Sequence, residues 1–176
     1  MKRLKFLLFI FPLLVSCDDD DTDDMITPET SSAMNIQTVS DFLELLTEEN
    51  EDLFDFFSDN PVVTLRMNPD GSQNGEVYQG TGQVQGYFNE IFQAFSVIRI
   101  QDVRLTASED GRSVFAQFNG DFEVEATGTP YRNVYISRVD FNEQGEIMAI
   151  EEYLNPVING VYLGIPLGPC QEVICN

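Results

Sequence analysis

A single carboxylate stands in an otherwise apolar row near the end of the chain. In a strand over this segment, every second side chain shares one face, and on that face Glu152 has three apolar companions. They are Met148, Ile150 and Leu154. Because burying an unpaired carboxylate is costly, Glu152 either lines a cavity or pairs with Arg132 or Arg138 on the preceding strand. In a cavity its pKa would rise, which suits a general acid or base at neutral pH; both interpretations stay open.

Polar residues alternate along the preceding segment and could face the same cavity, or they are simply satisfied sheet positions. They are Asn133, Tyr135 and Ser137. We predict an apolar lining for this pocket from Leu65, Phe88, Ile150 and Leu154. The chain has no histidine, so acid–base work would fall to carboxylates and tyrosines. It carries no phosphate-binding loop, dinucleotide motif, metal-spaced cluster or Ser/His/Asp set, and we expect neither a cofactor nor a metal.

Cys17 is the second chemically distinctive residue. Three basic residues near the start precede ten apolar ones at 6–15, a run shorter than the about 20 residues that cross a bilayer core. Residues 1–16 are therefore predicted to be a signal peptide. Leu14-Val15-Ser16-Cys17 resembles the lipobox of bacterial lipoproteins, which implies cleavage between Ser16 and Cys17 and a lipid on the Cys17 thiol. The alternative is an ordinary secretory signal with a chance cysteine.

The charge balance excludes one class of partner. Without residues 1–16 the formal charge falls from −21 to −24, because that segment holds three of the nine basic residues and no acidic ones. Such a surface repels phosphate backbones, so nucleic-acid binding is not expected. It also repels anionic head groups, so attachment to a membrane would come from the lipid.

Both ends of the chain are predicted to lie outside the folded domain. Residues 17–35 begin with six aspartates at 18–24 and are predicted to be a disordered tether. The acidic run resembles a surface-export signal, although an aspartate directly after the lipidated cysteine can also retain a lipoprotein at the inner membrane. We favour the outer membrane and cell surface. In the tail, residues 167–176, Cys170 and Cys175 are either bridged or free thiols.

Residues 36–166 are predicted to form one α+β domain. Two helices open it: one has an apolar stripe over 39–46 after a capping-box pattern at Thr38 and Asp41, and a shorter one is stopped at 59–61. A strand at 62–67, a short segment at 76–78 and a third helix at 81–95 follow. Four strands complete the chain, and a parity switch near Gln101 and Asp102 indicates a bulge in the first of them. We expect three N-terminal helices on a curved, mainly antiparallel sheet.

The last third of the domain carries a resemblance. The segments are Tyr131-Arg132-Asn133-Val134-Tyr135-Ile136, Gly145-Glu146-Ile147 and Glu152-Tyr153-Leu154-Asn155-Pro156, with Leu163-Gly164-Ile165-Pro166 after them. They resemble the ending of SnoaL-like (nuclear transport factor 2-like) proteins, and of the phenazine-biosynthesis A/B group most of all. The resemblance implies a cone-shaped pocket enclosed by curved sheet and helices.

The same resemblance implies residue roles. Glu152 matches a glutamate regarded as a proton donor in the phenazine group, but Glu151 stands where that group has arginine, and its pocket histidine is missing. Compared with ketosteroid isomerases, Leu65 takes the position of the base and Ser137 that of the acid in the oxyanion hole. Steroid isomerisation is therefore not expected.

Three functions remain in competition. The leading one is a lipid-anchored domain that binds a small, mostly apolar molecule in its pocket. The second is an isomerase, cyclase or lyase with Glu152 as general acid or base, and the third is a dimerising or assembly subunit without catalysis, since many SnoaL-like domains pair through their sheets. Filled space around Glu152 would favour the third, and an apolar pocket with an unpaired Glu152 would favour the first two.

Overall fold

The computed structural model describes residues 28–67 and 75–162. Within these ranges the helices are α1 (Pro28–Thr47), a 3₁₀ helix (Glu51–Phe56), α2 (Thr81–Ala94) and α3 (Pro156–Tyr162). The strands are β1 (Phe57–Leu65), β2 (Val77–Gln79), β3 (Phe95–Ala107), β4 (Ser113–Val124), β5 (Pro130–Phe141) and β6 (Ile147–Leu154). The predicted signal peptide, Cys17, most of the tether, Cys170 and Cys175 lie outside the described residues.

The six strands form one sheet in the order β2-β1-β6-β5-β4-β3. Strands β3 to β6 form the antiparallel meander that their sequence indicates. Strand β1 extends the sheet beyond β6, with which it pairs in parallel, and β2 pairs antiparallel with β1. The predicted α+β class is confirmed, with one parallel pair in a mainly antiparallel sheet. None of the helices in the described ranges is long and apolar enough to span a membrane.

The first helix begins earlier than predicted. We expected a disordered tether up to residue 35 and a helix start at Thr38, but α1 begins at Pro28. The tether boundary at residue 35 and the helix start at Thr38 are therefore wrong, and residues 17–27 lie outside the described ranges. Proline is well tolerated in the first turn, because the N–H it lacks would have no partner there. Asn35 is buried, and its Nδ2 donates to the Gly111 carbonyl at 2.8 Å, which fixes this end of the helix against the β3–β4 turn.

The second predicted helix is a single 3₁₀ segment capped by Asn50, whose side chain accepts from the Asp52 N–H at 2.9 Å. The run at 59–61 does not stop a helix but lies inside β1. The pairing of β1 with β6 shifts register between Phe57 and Val62. A proline is tolerated in a strand at such an irregularity, which is where Pro61 lies.

The bulge predicted in β3 is confirmed. The pairing of β3 with β4 shifts between Gln101 and Arg104, and Asp102 has φ +54°. A left-handed residue in a strand kinks it and increases its twist. The kink divides β3 and bends the edge of the sheet.

Helices α1 and α2 pack on one face of this sheet and close the core. The core residues that are sealed from solvent come from both layers and from the 3₁₀ helix. They include Val39, Phe42, Leu53, Val63, Val84, Phe88, Val114, Val139, Ile147 and Ile150. Helix α3, which the sequence analysis did not predict, follows β6 directly and packs near β5.

Candidate functional site

Glu152 lies near the end of β6, between β1 and β5. Its backbone pairs with Leu65 of β1 and Ser137 of β5. Ile150 lies on the same helix-covered face, as predicted, but Met148 is exposed. The pairing of β5 with β6 shifts register at Phe141 and Ile147, so the bulge at Met148 reverses the phase of the strand. The apolar row that reaches Glu152 therefore runs through Ile147 and Ile150, and its assignment to Met148 was wrong.

Glu152 lines a small cavity between the sheet and the two long helices. Its volume is about 30 Å³, enough for roughly one or two water molecules. The polar side chains on its wall belong to Glu152, Ser137 and Tyr87. The remaining wall is apolar and consists of Val39, Phe42, Leu43, Leu46, Val63, Phe88, Ala116, Phe118, Val139 and Ile150. The predicted cone-shaped pocket is thus nearly filled by side chains, which favours a non-catalytic subunit, whereas the Glu152 carboxyl group on the wall of the remaining apolar space favours binding or catalysis.

The arginines proposed as partners of Glu152 are engaged elsewhere. Arg132 Nε lies 3.0 Å from Asp121, and Arg138 Nε lies 2.9 Å from Asp140. Both arginines alternate with the cavity-facing residues of β5 and therefore point away from Glu152. Over the described ranges no basic group lies within 4.0 Å of the Glu152 carboxylate. The ion-pair interpretation is therefore wrong.

Glu152 is half-buried. Its apolar surroundings raise the pKa of its carboxyl group to about 7, because an ionised carboxylate loses part of its hydration there. The Tyr87 hydroxyl donates a long hydrogen bond of 3.4 Å to Glu152 Oε1, which acts in the opposite direction by stabilising the charged form. At neutral pH the carboxyl group is consequently divided between its protonated and ionised states. It can give or take a proton there.

Tyr87 is a site residue that the sequence analysis missed. It stacks on Tyr78 with ring centroids 4.7 Å apart and meets the edge of Phe88 at 5.0 Å. Burial raises the pKa of the Tyr87 hydroxyl, with a further contribution from the nearby Glu152 charge. A helical period could have found it, because Tyr87 lies three residues after Val84 on the stripe that faces the core.

The remaining residues predicted for the pocket fall into two groups. Ser137, Phe88 and Ile150 line the cavity, whereas the other four do not. Those four are Leu65, Asn133, Tyr135 and Leu154.

Asn133 is buried near the N-terminal end of β5, where it forms a separate hydrogen-bond network. Its Nδ2 donates to the Tyr131 hydroxyl at 2.9 Å, and its Oδ1 accepts from the Asn155 N–H at 2.9 Å. Asn133 therefore ties β5 to the residue that precedes α3. Tyr135 stacks on Phe118 at 5.0 Å, and burial together with the nearby Tyr131 hydroxyl raises the pKa of the Tyr135 hydroxyl. These residues shape the interior beyond the cavity.

Two larger depressions lie at the surface and are open to solvent. One of about 660 Å³ lies between α1 and the turns around Gly111 and Gly145, and one of about 450 Å³ lies between β5 and α3. The carboxyl groups on the wall of the first, Asp110 and Glu143, are exposed, and the described wall of the second has none, so the small cavity at Glu152 is the better candidate site. Among the described residues no group of three acidic, histidine or cysteine side chains could hold a metal ion.

Comparisons with known proteins agree with this architecture. Residues 39–150 match the model of the SnoaL-like domain. The Bacillus subtilis protein YesE, whose function is uncharacterised, is 24% identical over 123 residues, which cover 69% of this chain and 82% of YesE.

Solved structures share the fold at low identity. A Bacillus subtilis protein assigned provisionally as an isomerase superposes with a TM-score of 0.66 at 23% identity, over 76% of this chain and 95% of its own. A phenazine biosynthesis-related protein from Pseudomonas aeruginosa gives 0.65 at 15% identity, over 79% and 90%. The epoxide hydrolase/cyclase-like enzyme SalBIII, which has a role in pyran ring formation in the polyether salinomycin, gives 0.57 at 16% identity, over 70% and 92%. The family match covers well over half of the chain, and the chain therefore belongs to the SnoaL-like domain family.

Proposed function

We propose that the domain carries out acid–base chemistry on a small, mostly apolar molecule, as an isomerase- or cyclase-type enzyme with Glu152 as the group that transfers the proton. The observation that carries the proposal is the half-buried Glu152 carboxyl on the cavity wall, which has no basic partner among the described residues and a pKa of about 7. Holding an unpaired carboxyl group against apolar side chains is unfavourable for stability. Its pKa matches what a proton donor or acceptor needs at neutral pH.

The size of the cavity limits how a substrate enters. About 30 Å³ accepts only a group the size of a water molecule, so the rest of the substrate must displace side chains. The aromatic pair Tyr78 and Tyr87 is the part of the wall best suited to move, because Tyr78 is half-buried and lies on the short strand β2. Displacing Tyr87 would also remove its hydrogen bond to Glu152.

Relatives of known description support the reaction class. SalBIII is described as cyclase-like, and the Bacillus subtilis structure is assigned provisionally as an isomerase. Isomerisations and cyclisations of this kind share a proton transfer to or from carbon or oxygen. A single carboxyl group that exchanges its proton near pH 7 is sufficient for such a step. A closer relationship to the phenazine-biosynthesis group remains a proposal based on the segment at 152–156.

The proposal is tested without knowing the substrate. The full-length protein is incubated in deuterated water with a small-molecule extract of its own cells, and mass spectrometry follows metabolites that gain a deuteron. We expect the gain with the wild type and with Glu90→Gln, an exposed glutamate on α2 that serves as the control. We expect its loss with Glu152→Gln. Equal labelling by the Glu152→Gln variant would refute the proposal.

Binding without turnover is the second candidate, because Glu152 is the one carboxyl group on the cavity wall and the described part of the chain offers only Tyr87 as a second proton-transfer group there. Native mass spectrometry separates the two candidates. A ligand retained by the wild type, lost in Glu152→Gln and never labelled with deuterium would favour binding.

We also propose that the domain is held at the cell envelope by a lipid on Cys17, with the outer membrane and the cell surface favoured over the inner membrane. The apolar run at 6–15 and the lipobox-like Leu14-Val15-Ser16-Cys17 support this proposal. Metabolic labelling with a radioactive fatty acid should mark the wild type and not Cys17→Ser. Protease treatment of intact cells would then distinguish the outer surface from the inner membrane.

A homodimer is proposed from the outer face of the sheet. Val134, Ile136 and Tyr153 are exposed there, and Ile136 and Tyr153 are directly opposite each other on β5 and β6. Contiguous exposed apolar residues of this kind are typical of interaction surfaces. We expect Ile136→Arg to convert a dimer into a monomer in light scattering, and an unchanged mass would contradict a dimer through this face.

A further inference from the structure

Ser137 is a buried residue whose hydroxyl group has no hydrogen-bond partner in the described chain. Its residue is 5% exposed, and Ser137 Oγ makes no hydrogen bond to a described residue, although the other buried polar side chains of β5 are bonded. A buried hydroxyl group normally has a hydrogen-bond partner, because a buried hydroxyl without one destabilises the folded protein. No described side-chain oxygen or nitrogen is both sealed and unpaired, so the Ser137 hydroxyl faces open space, and that space is the cavity.

The sheet places this hydroxyl beside the carboxyl group of Glu152. Ser137 and Glu152 are paired residues on β5 and β6, and both line the cavity of about 30 Å³. On the other side of Ser137, the β4 partner is Ala116, which offers no side-chain partner for a hydrogen bond. Ser137 Oγ can therefore donate only into the cavity.

The charge around the cavity determines which chemical group fits between Ser137 and Glu152. No arginine lines the cavity, and Arg66, the one nearest in the sheet, is bonded to Glu151 on the outer face. A carboxylate or phosphate would meet the partly ionised Glu152 without a cation to offset it. A neutral oxygen can instead accept from Ser137 and from the protonated Glu152.

From these contacts we infer that Ser137 and Glu152 form a subsite for one neutral oxygen atom. A water molecule occupies it in the ligand-free protein, and the carbonyl or hydroxyl oxygen of a compact apolar ligand replaces that water. This inference rests on the proposed function, because it names the polar end of the molecule on which Glu152 acts. It makes Ser137 a specificity-determining residue.

Three probes of similar size differ in the chemical group that would enter the subsite. Acetophenone presents a neutral carbonyl, isopropylbenzene replaces that oxygen with a methyl group, and benzoate presents an anion. Affinities for the full-length protein are measured by NMR titration of the wild type, Ser137→Ala and Thr64→Val. Thr64 is the matched control, because it is also a buried hydroxyl residue but follows the cavity-lining Val63 on the opposite face of β1.

We expect Ser137→Ala to weaken acetophenone binding about 3- to 10-fold, the usual effect of losing one neutral hydrogen bond, and to leave isopropylbenzene unchanged. Thr64→Val should change neither, and benzoate should not bind at pH 8. An equal loss in both variants, benzoate binding as tight as that of the ketone, or no acetophenone binding by the wild type would overturn the inference.

A high-resolution crystal structure of the ligand-free protein gives an independent result. We expect an ordered water within hydrogen-bond distance of both Ser137 Oγ and the Glu152 carboxyl, and a dry cavity would overturn the subsite. The two proposals fail differently. Deuterium labelling that depends on Glu152 but is indifferent to Ser137 would remove the subsite alone. Labelling and ketone binding that are indifferent to Glu152→Gln would remove the proposed function.

Discussion

Replacing Glu152 by glutamine should remove a defined part of the pH dependence of folding stability. The pKa of Glu152 is about 7 in the folded protein and its ordinary value is 4.5, a difference that corresponds to about 3 kcal/mol. Because the folded-state pKa is the higher one, the stability that Glu152 contributes is fully present below pH 4.5. It is lost as the pH rises to 7 and beyond.

The experiment compares variants, since many other carboxylates also titrate in this range. Urea unfolding of the wild type and Glu152→Gln is measured from pH 4.5 to pH 8. With a slope of about 2 kcal/mol per molar urea, the midpoint of the wild type should fall by about 1.5 M relative to that of the glutamine variant across this interval. The exposed control Glu90→Gln should follow the wild type. A difference between wild type and Glu152→Gln that stays constant with pH would refute the assignment of a raised pKa to this residue.

Three further substitutions test parts of the site and its support. Tyr87→Phe removes the hydroxyl that stabilises the ionised carboxylate, so the pKa of Glu152 should rise further in a ¹³C NMR titration, and an unchanged or lower value would contradict the hydrogen bond. Gly120→Ala would place a Cβ 2.7 Å from a ring carbon of Tyr135. It should lower the free energy of unfolding by about 1–3 kcal/mol, and a neutral effect in urea unfolding would count against this packing. Asn133→Ala leaves the Asn155 N–H without its acceptor, and a loss of about 1–3 kcal/mol is expected; no loss would show that water replaces the side chain.

Strands in which apolar and polar residues alternate without interruption were predictable from the sequence. Alternation in β4 continues from Val114 to Val124, and the burial of that strand follows it residue by residue. The bulge in β3 was also visible, because the change of parity near Asp102 has no other simple cause in a strand. Both signals are local, and neither depends on what packs against the strand.

The bulge in β6 could not be seen in the same way. Ile147 and Met148 are both apolar, so either of them could begin the buried row, and the choice is made by pairing with Phe141 on β5. The parallel addition of β1 beside β6 is likewise a tertiary event, since paired residues such as Val63 and Ile150 are 87 positions apart. Neither the β6 bulge nor the pairing of β1 with β6 can be predicted from the local sequence.

The sequence alone already argues against an ion pair between Glu152 and Arg132 or Arg138. Arg132 and Arg138 alternate with Asn133 and Ser137 along β5, and residues of opposite parity in a strand point to opposite faces. Once Ser137 was expected to face the cavity, both arginines had to face away. The nearly complete filling of the cavity was not predictable, because it depends on how α1 and α2 pack over the sheet.

The proposed function depends on a Glu152 carboxyl group that exchanges its proton near neutral pH in its half-buried, apolar site. A ¹³C NMR titration of the protein with labelled glutamate carboxyl groups tests it directly, since the Glu152 resonance is identified by its absence in Glu152→Gln. The structure predicts a midpoint at about pH 7. A midpoint near the ordinary 4.5 would mean that the carboxylate is hydrated or paired, and would contradict the claim.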